Sequence, residues 1–144
     1  MAIIFLGLGS NLGDRKKNIA RAVDLLSAKG ISVLRCSTLI ETDPVGGPPG
    51  QGRFLNGVLK AETDLSPEEL LQCLKEIERQ LGRTKTVRNG PRIIDLDILL
   101  YDNLTLNTPG LALPHPRMLE RSFVMAPLSE IDPRTAENIS HAHL

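Results

Sequence analysis

The chain has 144 residues, enough for one domain with a sizeable core. Apolar residues make up 41% and charged residues 24%, and 17 Lys+Arg balance 17 Asp+Glu to leave zero formal net charge. That balance argues against a general nucleic-acid or membrane-surface binder, which would be basic.

Cys36 and Cys73 are too few for a disulfide framework or a zinc site and read as buried thiols in a reducing cytoplasm. Met1-Ala2-Ile3-Ile4-Phe5-Leu6 lacks a basic n-region and soon meets Gly7 and Gly9. It reads as a strand over residues 3–8 and not as a signal peptide. No stretch is long enough to span a membrane. Gly9-Ser10-Asn11-Leu12-Gly13-Asp14 is a turn rich in small and capping residues. A helix follows to about Lys29, with Ile19, Val23 and Leu26 on one face and Gly30 placed to end it.

Residues 31–41 read as a second strand. Residues 42–53 hold three prolines and four glycines, so they form neither helix nor central strand, and a loop of that length inside a compact domain is usually functional or disordered. The next strand is 54–63, with Leu55, Gly57, Leu59 and Ala61 on one face and Phe54, Asn56 and Val58 on the other. Asn is disfavoured in a strand and asks for a reason. Ser66 as N-cap, Pro67 at N1 and Glu69 at N3 make a capping box for a helix with an apolar stripe of Leu70, Leu74, Ile77 and Leu81, ended by Gly82. A basic loop, 83–92, carries Arg83, Lys85, Arg88 and Arg92 into a strand at 93–101. The tail contains Leu113-Pro114-His115-Pro116-Arg117, a short helical stretch near 117–129 and a polar end.

The order strand, helix, strand, strand, helix, strand predicts an α+β, ferredoxin-like (βαββαβ) fold in a single domain over 1–144. The sheet is mainly antiparallel, with both helices on one face. The Pro/Gly loop, the basic loop and the C-terminal segment are left to cover the other.

Within the last strand, alternation puts Asp95 and Asp97 on one face and Ile94, Leu96, Ile98 and Leu100 on the other. Two carboxylates on the inner part of a sheet are costly unless compensated. Magnesium bound to phosphate oxygens is the natural compensation, and Arg92 stands just upstream to hold the same phosphates. Phe54, Asn56, Asp95 and Asp97 then share one loop-roofed surface, suited to a flat polar ligand beside a metal-bound phosphate.

In their order and spacing, several segments together resemble the 6-hydroxymethyl-7,8-dihydropterin pyrophosphokinase family of folate biosynthesis. They are Gly7-Leu8-Gly9-Ser10-Asn11-Leu12, Glu41 to Gly46, Phe54-Leu55-Asn56, Ile77-Glu78 with Gly82-Arg83, Gly90-Pro91-Arg92 through Asp97, Pro114-His115 and Arg121-Ser122-Phe123. The resemblance implies transfer of pyrophosphate from ATP to the hydroxymethyl group of the dihydropterin, leaving AMP. It implies two magnesium ions held by Asp95 and Asp97, with Arg83 and Arg92 on the phosphates. The pterin would stack between Phe54 and Phe123, with Asn56 reading its edge and Thr42, Pro44, Val45 and Gly46 completing the pocket. Glu78, Lys85, Ile98, Leu111, His115 and Arg121 fall on the ATP side. A cytoplasmic monomer acting on small molecules is implied, with no nucleic-acid or membrane partner. Some family members carry Trp before the Gly-Pro-Arg, where this chain has Asn89, and another basic residue where it has Thr84. A ferredoxin-like nucleotidyltransferase and a non-catalytic ligand-binding module are the competing readings.

Overall fold

The computed structural model describes residues 1–44, 47–82 and 91–142. Its central sheet is built from β1 (Ala2–Ser10), β2 (Ile31–Cys36), β3 (Ile40–Thr42), β4 (Phe54–Thr63) and β5 (Asp95–Tyr101). The strand order is β2-β4-β1-β5, with β3 also paired to β4, and every pairing is antiparallel. With α1 (Arg15–Ala28) between β1 and β2 and α2 (Pro67–Gln80) between β4 and β5, this is the ferredoxin-like arrangement.

The two helices cover one face. Ile19, Ala22 and Leu26 of α1 and Leu70, Leu74 and Ile77 of α2 pack on Ile4, Leu6, Leu8, Leu55, Leu59, Leu96 and Ile98. Each such large apolar side chain contributes about 1.5–3 kcal/mol when fully removed from water. Asp14 caps α1 by accepting from Lys17 N, and the capping box of α2 forms as its sequence demands: Ser66 Oγ accepts from Glu69 N while Glu69 Oε1 accepts from Ser66 N.

The opposite face carries a second core. Phe5, Val58, Leu99 and Leu100 meet Met118, Val124, Leu128, Ile131 and Ala136 from the C-terminal segment. That segment holds a 3-10 turn (Met118–Glu120), α3 (Ser122–Ile131) and α4 (Pro133–Ala142), and a small hairpin of β6 (Leu106–Thr108) and β7 (Leu111–Leu113) precedes it.

Four sequence expectations change. The strand expected at 31–41 breaks at residues 37–39. There Ser37 N donates to Val58 O and Ser37 Oγ accepts from Val58 N, both at 2.9 Å, while Leu39 swings across Gly57. A Cβ on Gly57 would stand 2.7 Å from Leu39 Cδ2, so a larger residue there would push the end of the Leu39 side chain aside. Leu100 joins the second core and not the helix-side core, because the β1–β5 register shifts between Phe5 and Leu6 and inserts an extra residue near Leu99. The polar end expected after 129 is helical. Asp132 Oδ1 accepts from Thr135 N, Pro133 opens the helix, and Ala136 and Ile139 face the second core. Cys36 lies exposed at the end of β2 and Cys73 is half-buried, so neither is the fully buried thiol expected.

Candidate active site

On the face opposite α1 and α2, the ends of β1, β4 and β5 form the floor of a cleft of about 270 Å³. The register explains who meets there. Gly9 of β1 is paired with Asn56 on one side and Asp95 on the other, and Gly7 is paired with Asp97. The central strand thus contributes no side chains between the amide and the carboxylates. A Cβ on Gly9 would lie 3.0 Å from Asn56 Oδ1 and 3.6 Å from the Phe54 ring, and one on Gly7 would lie 3.8 Å from Asp97 Cβ.

At one end of the cleft stand Thr42, Asp43, Phe54 and Asn56, with Phe123 and Val124 of α3 forming a wall. Asn56 is buried, and its Nδ2 donates to Thr42 Oγ1. That bond turns the amide so that Oδ1 points along the Gly9 side and can accept from a ligand. Phe54 and Phe123 are both half-buried, unlike a core Phe such as Phe5 at 4% exposure. Phe123 also lies under the Arg121 guanidinium, 5.4 Å from ring centroid to Cζ.

At the other end Arg92, Asp95, Asp97, His115 and Arg121 line the cleft, with Leu99 between. Arg92 Nη1 is 3.6 Å from Asp95 Oδ1, and both side chains keep a quarter to a third of their surface in water. A loose, part-exposed pair of this kind is worth little and is readily traded for a phosphate. His115 is set by its backbone N–H to Leu99 O at 2.9 Å, and its Nδ1 accepts from Arg117 N at 3.2 Å. Burial, and then the Arg121 charge, hold its imidazole below the ordinary histidine range, with Asp95 opposing. The shift favours the neutral imidazole, whose Nδ1 already accepts from Arg117 N.

The described lining carries Asp43, Asp95 and Asp97 against Arg92 and Arg121. Among the described residues no three His, Cys, Asp or Glu are placed to hold one metal ion by themselves. Two adjacent carboxylates without further protein ligands fit a hard cation that completes its shell with phosphate oxygens and water, and do not fit a closed zinc site.

Other expected residues lie elsewhere. Glu78 is buried under the sheet, where its Oε2 accepts from Leu96 N at 2.9 Å between the two aspartates. The side chains of Ile98 and Leu111 pack with the helix-side core, and Pro44 is half-buried outside the cleft lining. Arg83, Lys85, Val45 and Gly46 lie outside the described residues, as do Thr84 and Asn89.

Sequence reasoning named none of Gly7, Gly9, Leu99 and Val124 as cleft residues. The spacing of the two glycines on one strand face was the available signal. Leu99 shares the face of β5 that carries Asp95 and Asp97, so alternation was the available signal for it.

Comparison with known proteins bears on the family and the fold. The model of a family described as 7,8-dihydro-6-hydroxymethylpterin-pyrophosphokinase (HPPK) matches residues 5–133. The 2-amino-4-hydroxy-6-hydroxymethyldihydropteridine pyrophosphokinase of Bacillus subtilis (strain 168) is 48% identical over 130 residues, spanning 90% of this chain and 77% of that protein. The folic acid synthesis protein fol1 of Pneumocystis carinii is 48% identical over 128 residues, but these are 89% of this chain and only 17% of the relative. In fold, the chain matches a crystal structure of Plasmodium falciparum HPPK-DHPS wild type with SDX-DHP at a TM-score of 0.68 and 17% identity, covering 92% of this chain and 40% of that one. On the family match and the Bacillus subtilis relative together, the chain belongs to the 7,8-dihydro-6-hydroxymethylpterin-pyrophosphokinase family.

Proposed function

We propose a residue-level account of the family reaction, the ATP-dependent pyrophosphorylation of 6-hydroxymethyl-7,8-dihydropterin in folate biosynthesis. The observation that carries it is the register that sets Asn56, Gly9 and Asp95 side by side across β4, β1 and β5. The two substrate ends of the cleft are thereby neighbours on one rigid sheet.

The pterin lies at the Phe54 end, between that ring and Phe123. Asn56 Oδ1 accepts from its edge, Thr42 holds the amide in place, and Pro44, Val45 and Gly46 belong to the same pterin-binding set. The triphosphate lies at the Asp95 end, with Arg92 and Arg83 on its oxygens and His115, Arg121 and Lys85 beside it. Ile98 and Leu111, whose side chains pack with the helix-side core, belong to the nucleotide set through their backbone alone. Glu78 acts indirectly by holding the strand that carries Asp95 and Asp97. Two magnesium ions, bound by Asp95 and Asp97, supply neutralisation of the triphosphate charge. The surplus of carboxylate over arginine in the described lining supports this, since a triphosphate entering it needs added positive charge.

The pterin hydroxymethyl oxygen attacks the β-phosphorus, the bond from that phosphorus to the bridging oxygen of the α-phosphate breaks, and AMP leaves while the hydroxyl proton passes to water. The chain's part is to position and to neutralise, which is what phosphoryl-type transfer demands. Residues 1–144 act as one pyrophosphokinase domain and as a monomer. Action in the cytoplasm fits its free thiols. Among the described residues no helix is long and apolar enough to cross a membrane.

Incubation with γ-labelled ATP, magnesium and 6-hydroxymethyl-7,8-dihydropterin tests the reading. Label in the pterin product with unlabelled AMP supports it. AMP incorporated into the acceptor would favour nucleotidyl transfer, and absence of AMP formation would favour a binding module.

A further inference from the structure

Asn11 is a polar side chain that the reaction above leaves unused. It is 6% exposed, just beyond the end of β1, and does not line the cleft. Its Oδ1 accepts from Arg92 N at 2.7 Å, and its own N–H donates to Arg92 O at 3.0 Å. On its other side Nδ2 donates to Gln51 Oε1 at 3.0 Å and to Gly52 O at 3.1 Å. One amide is thus divided between two segments. Its acceptor belongs to the stretch that delivers Arg92, and its donors belong to the end of the Pro/Gly loop. Gly52 is followed by Arg53 and then Phe54, the ring at the pterin end. A planar amide cannot rotate to suit one segment without disturbing the other, because its oxygen and nitrogen are fixed on opposite sides of one bond axis.

We propose that Asn11 is a positioning residue that couples the two substrate sites. Ordering the Arg92 segment around the triphosphate orients the amide, and the oriented amide orders residues 51–52 and the approach to Phe54. By reciprocity each substrate then binds more tightly when the other is present. This inference rests on the assignment of Arg92 to the triphosphate and of Phe54 and Asn56 to the pterin.

Two variants address it. Asn11→Asp keeps the shape and the acceptor for Arg92 N but turns the donor into an oxygen facing two acceptors. Gln51→Ala removes one acceptor from the loop side, together with the Gln51 Nε2–Pro48 O bond within the loop, at a residue outside the cleft lining. A non-hydrolysable ATP analogue with magnesium, and the pterin, are each titrated calorimetrically alone and with the other saturating. In the native protein each ligand should tighten the other by about tenfold or more. In Asn11→Asp that factor should fall to about threefold or less, and in Gln51→Ala it should fall part of the way, while the affinities measured alone change by less than about threefold. A residue that only holds a turn would lower the thermal transition and leave the factor intact. A native protein without mutual tightening overturns the proposal, as do variants that keep the factor in full. If Asn11→Asp fails to fold, Gln51→Ala decides by the same criterion. Arg92→Ala separates the two levels. If it binds the analogue as tightly as the native protein, the assignment of the phosphate end fails and the coupling fails with it. If it loses affinity while Asn11→Asp keeps the factor, the coupling alone is overturned.

Discussion

A methyl group at Gly9 would stand 3.0 Å from Asn56 Oδ1, closer than side-chain packing normally allows. Gly9→Ala should therefore displace the amide from its seat on Thr42 and weaken pterin binding. The expected loss is about 1–2 kcal/mol, the scale of an overpacked contact. Nucleotide-analogue binding should be unchanged, and calorimetry with each ligand separately checks this. His115 makes a second residue-scale prediction. Its folded pKa lies below the ordinary value, so the unfolded chain takes up this proton first as pH falls. The associated stability is fully present above about pH 6.5 and is lost as pH falls from there toward the lowered folded pKa. An NMR titration of His115 should show a midpoint below the ordinary range in the free protein. A bound ATP analogue, whose negative charge offsets Arg121, should move it upward. A midpoint that stays put with nucleotide would place the triphosphate elsewhere. At this scale the sequence was informative where chemistry is unusual: two aspartates in an apolar strand and an asparagine in another. It spoke only through spacing where the contribution is an absence of side chain, as at Gly7 and Gly9, and was silent where it is an amide bonded to distant segments, as at Asn11.

Among the elements, α2 was legible to the residue because its stop and start signals are local. Ser66, Pro67 and Glu69 form the box that their order predicts. Ser66→Ala should cost about 1 kcal/mol and lower the thermal midpoint by a few degrees while leaving both substrate KM values unchanged, since α2 packs on the face away from the cleft. Thermal melts alongside steady-state kinetics would check it. The irregularity in β5 was not legible, because a one-residue bulge breaks the alternation from which faces are read. The role of α3 was also hidden. Its far end is tied to the β2–β3–β4 side by Glu130, which accepts from Thr38 N and Oγ1, by Arg35 Nη1 donating to Ile131 O, and by the Lys60–Asp132 ion pair at 3.1 Å. These anchors hold Phe123, at its near end, against the cleft. They join residues about 70 to 100 positions apart in sequence, which no local pattern reveals.

At the scale of the molecule, the sheet separates two tasks. The helix-side core makes the platform stiff, and the opposite face divides between the second core and the cleft. The ferredoxin-like order was readable from element types alone, since helices between strands of these lengths leave few chain paths. What covers the second face was only partly readable, because α4 is short and polar on one side and its single buried alanine leaves little periodic signal. The cleft's position makes the pterin and triphosphate ends adjacent but distinct. Phe123→Ala should weaken pterin binding by about 1–3 kcal/mol, the scale of base–aromatic stacking. Separate titrations should show nucleotide binding preserved. Loss of both affinities together with the thermal transition would instead make Phe123 a core residue.

The central claim is that Asp95 and Asp97, held on β5 beside Gly7 and Gly9, are where the pyrophosphoryl transfer is carried. The most direct measurement is the rate of AMP formation by Asp97→Asn at saturating ATP, magnesium and pterin, with the thermal transition recorded on the same preparation. The substitution keeps shape and removes one negative charge. The account predicts a fall in turnover of about a hundredfold or more, the usual size of a lost electrostatic contribution at the reacting centre, with the fold and the pterin affinity intact. A near-native rate in a folded protein would contradict it.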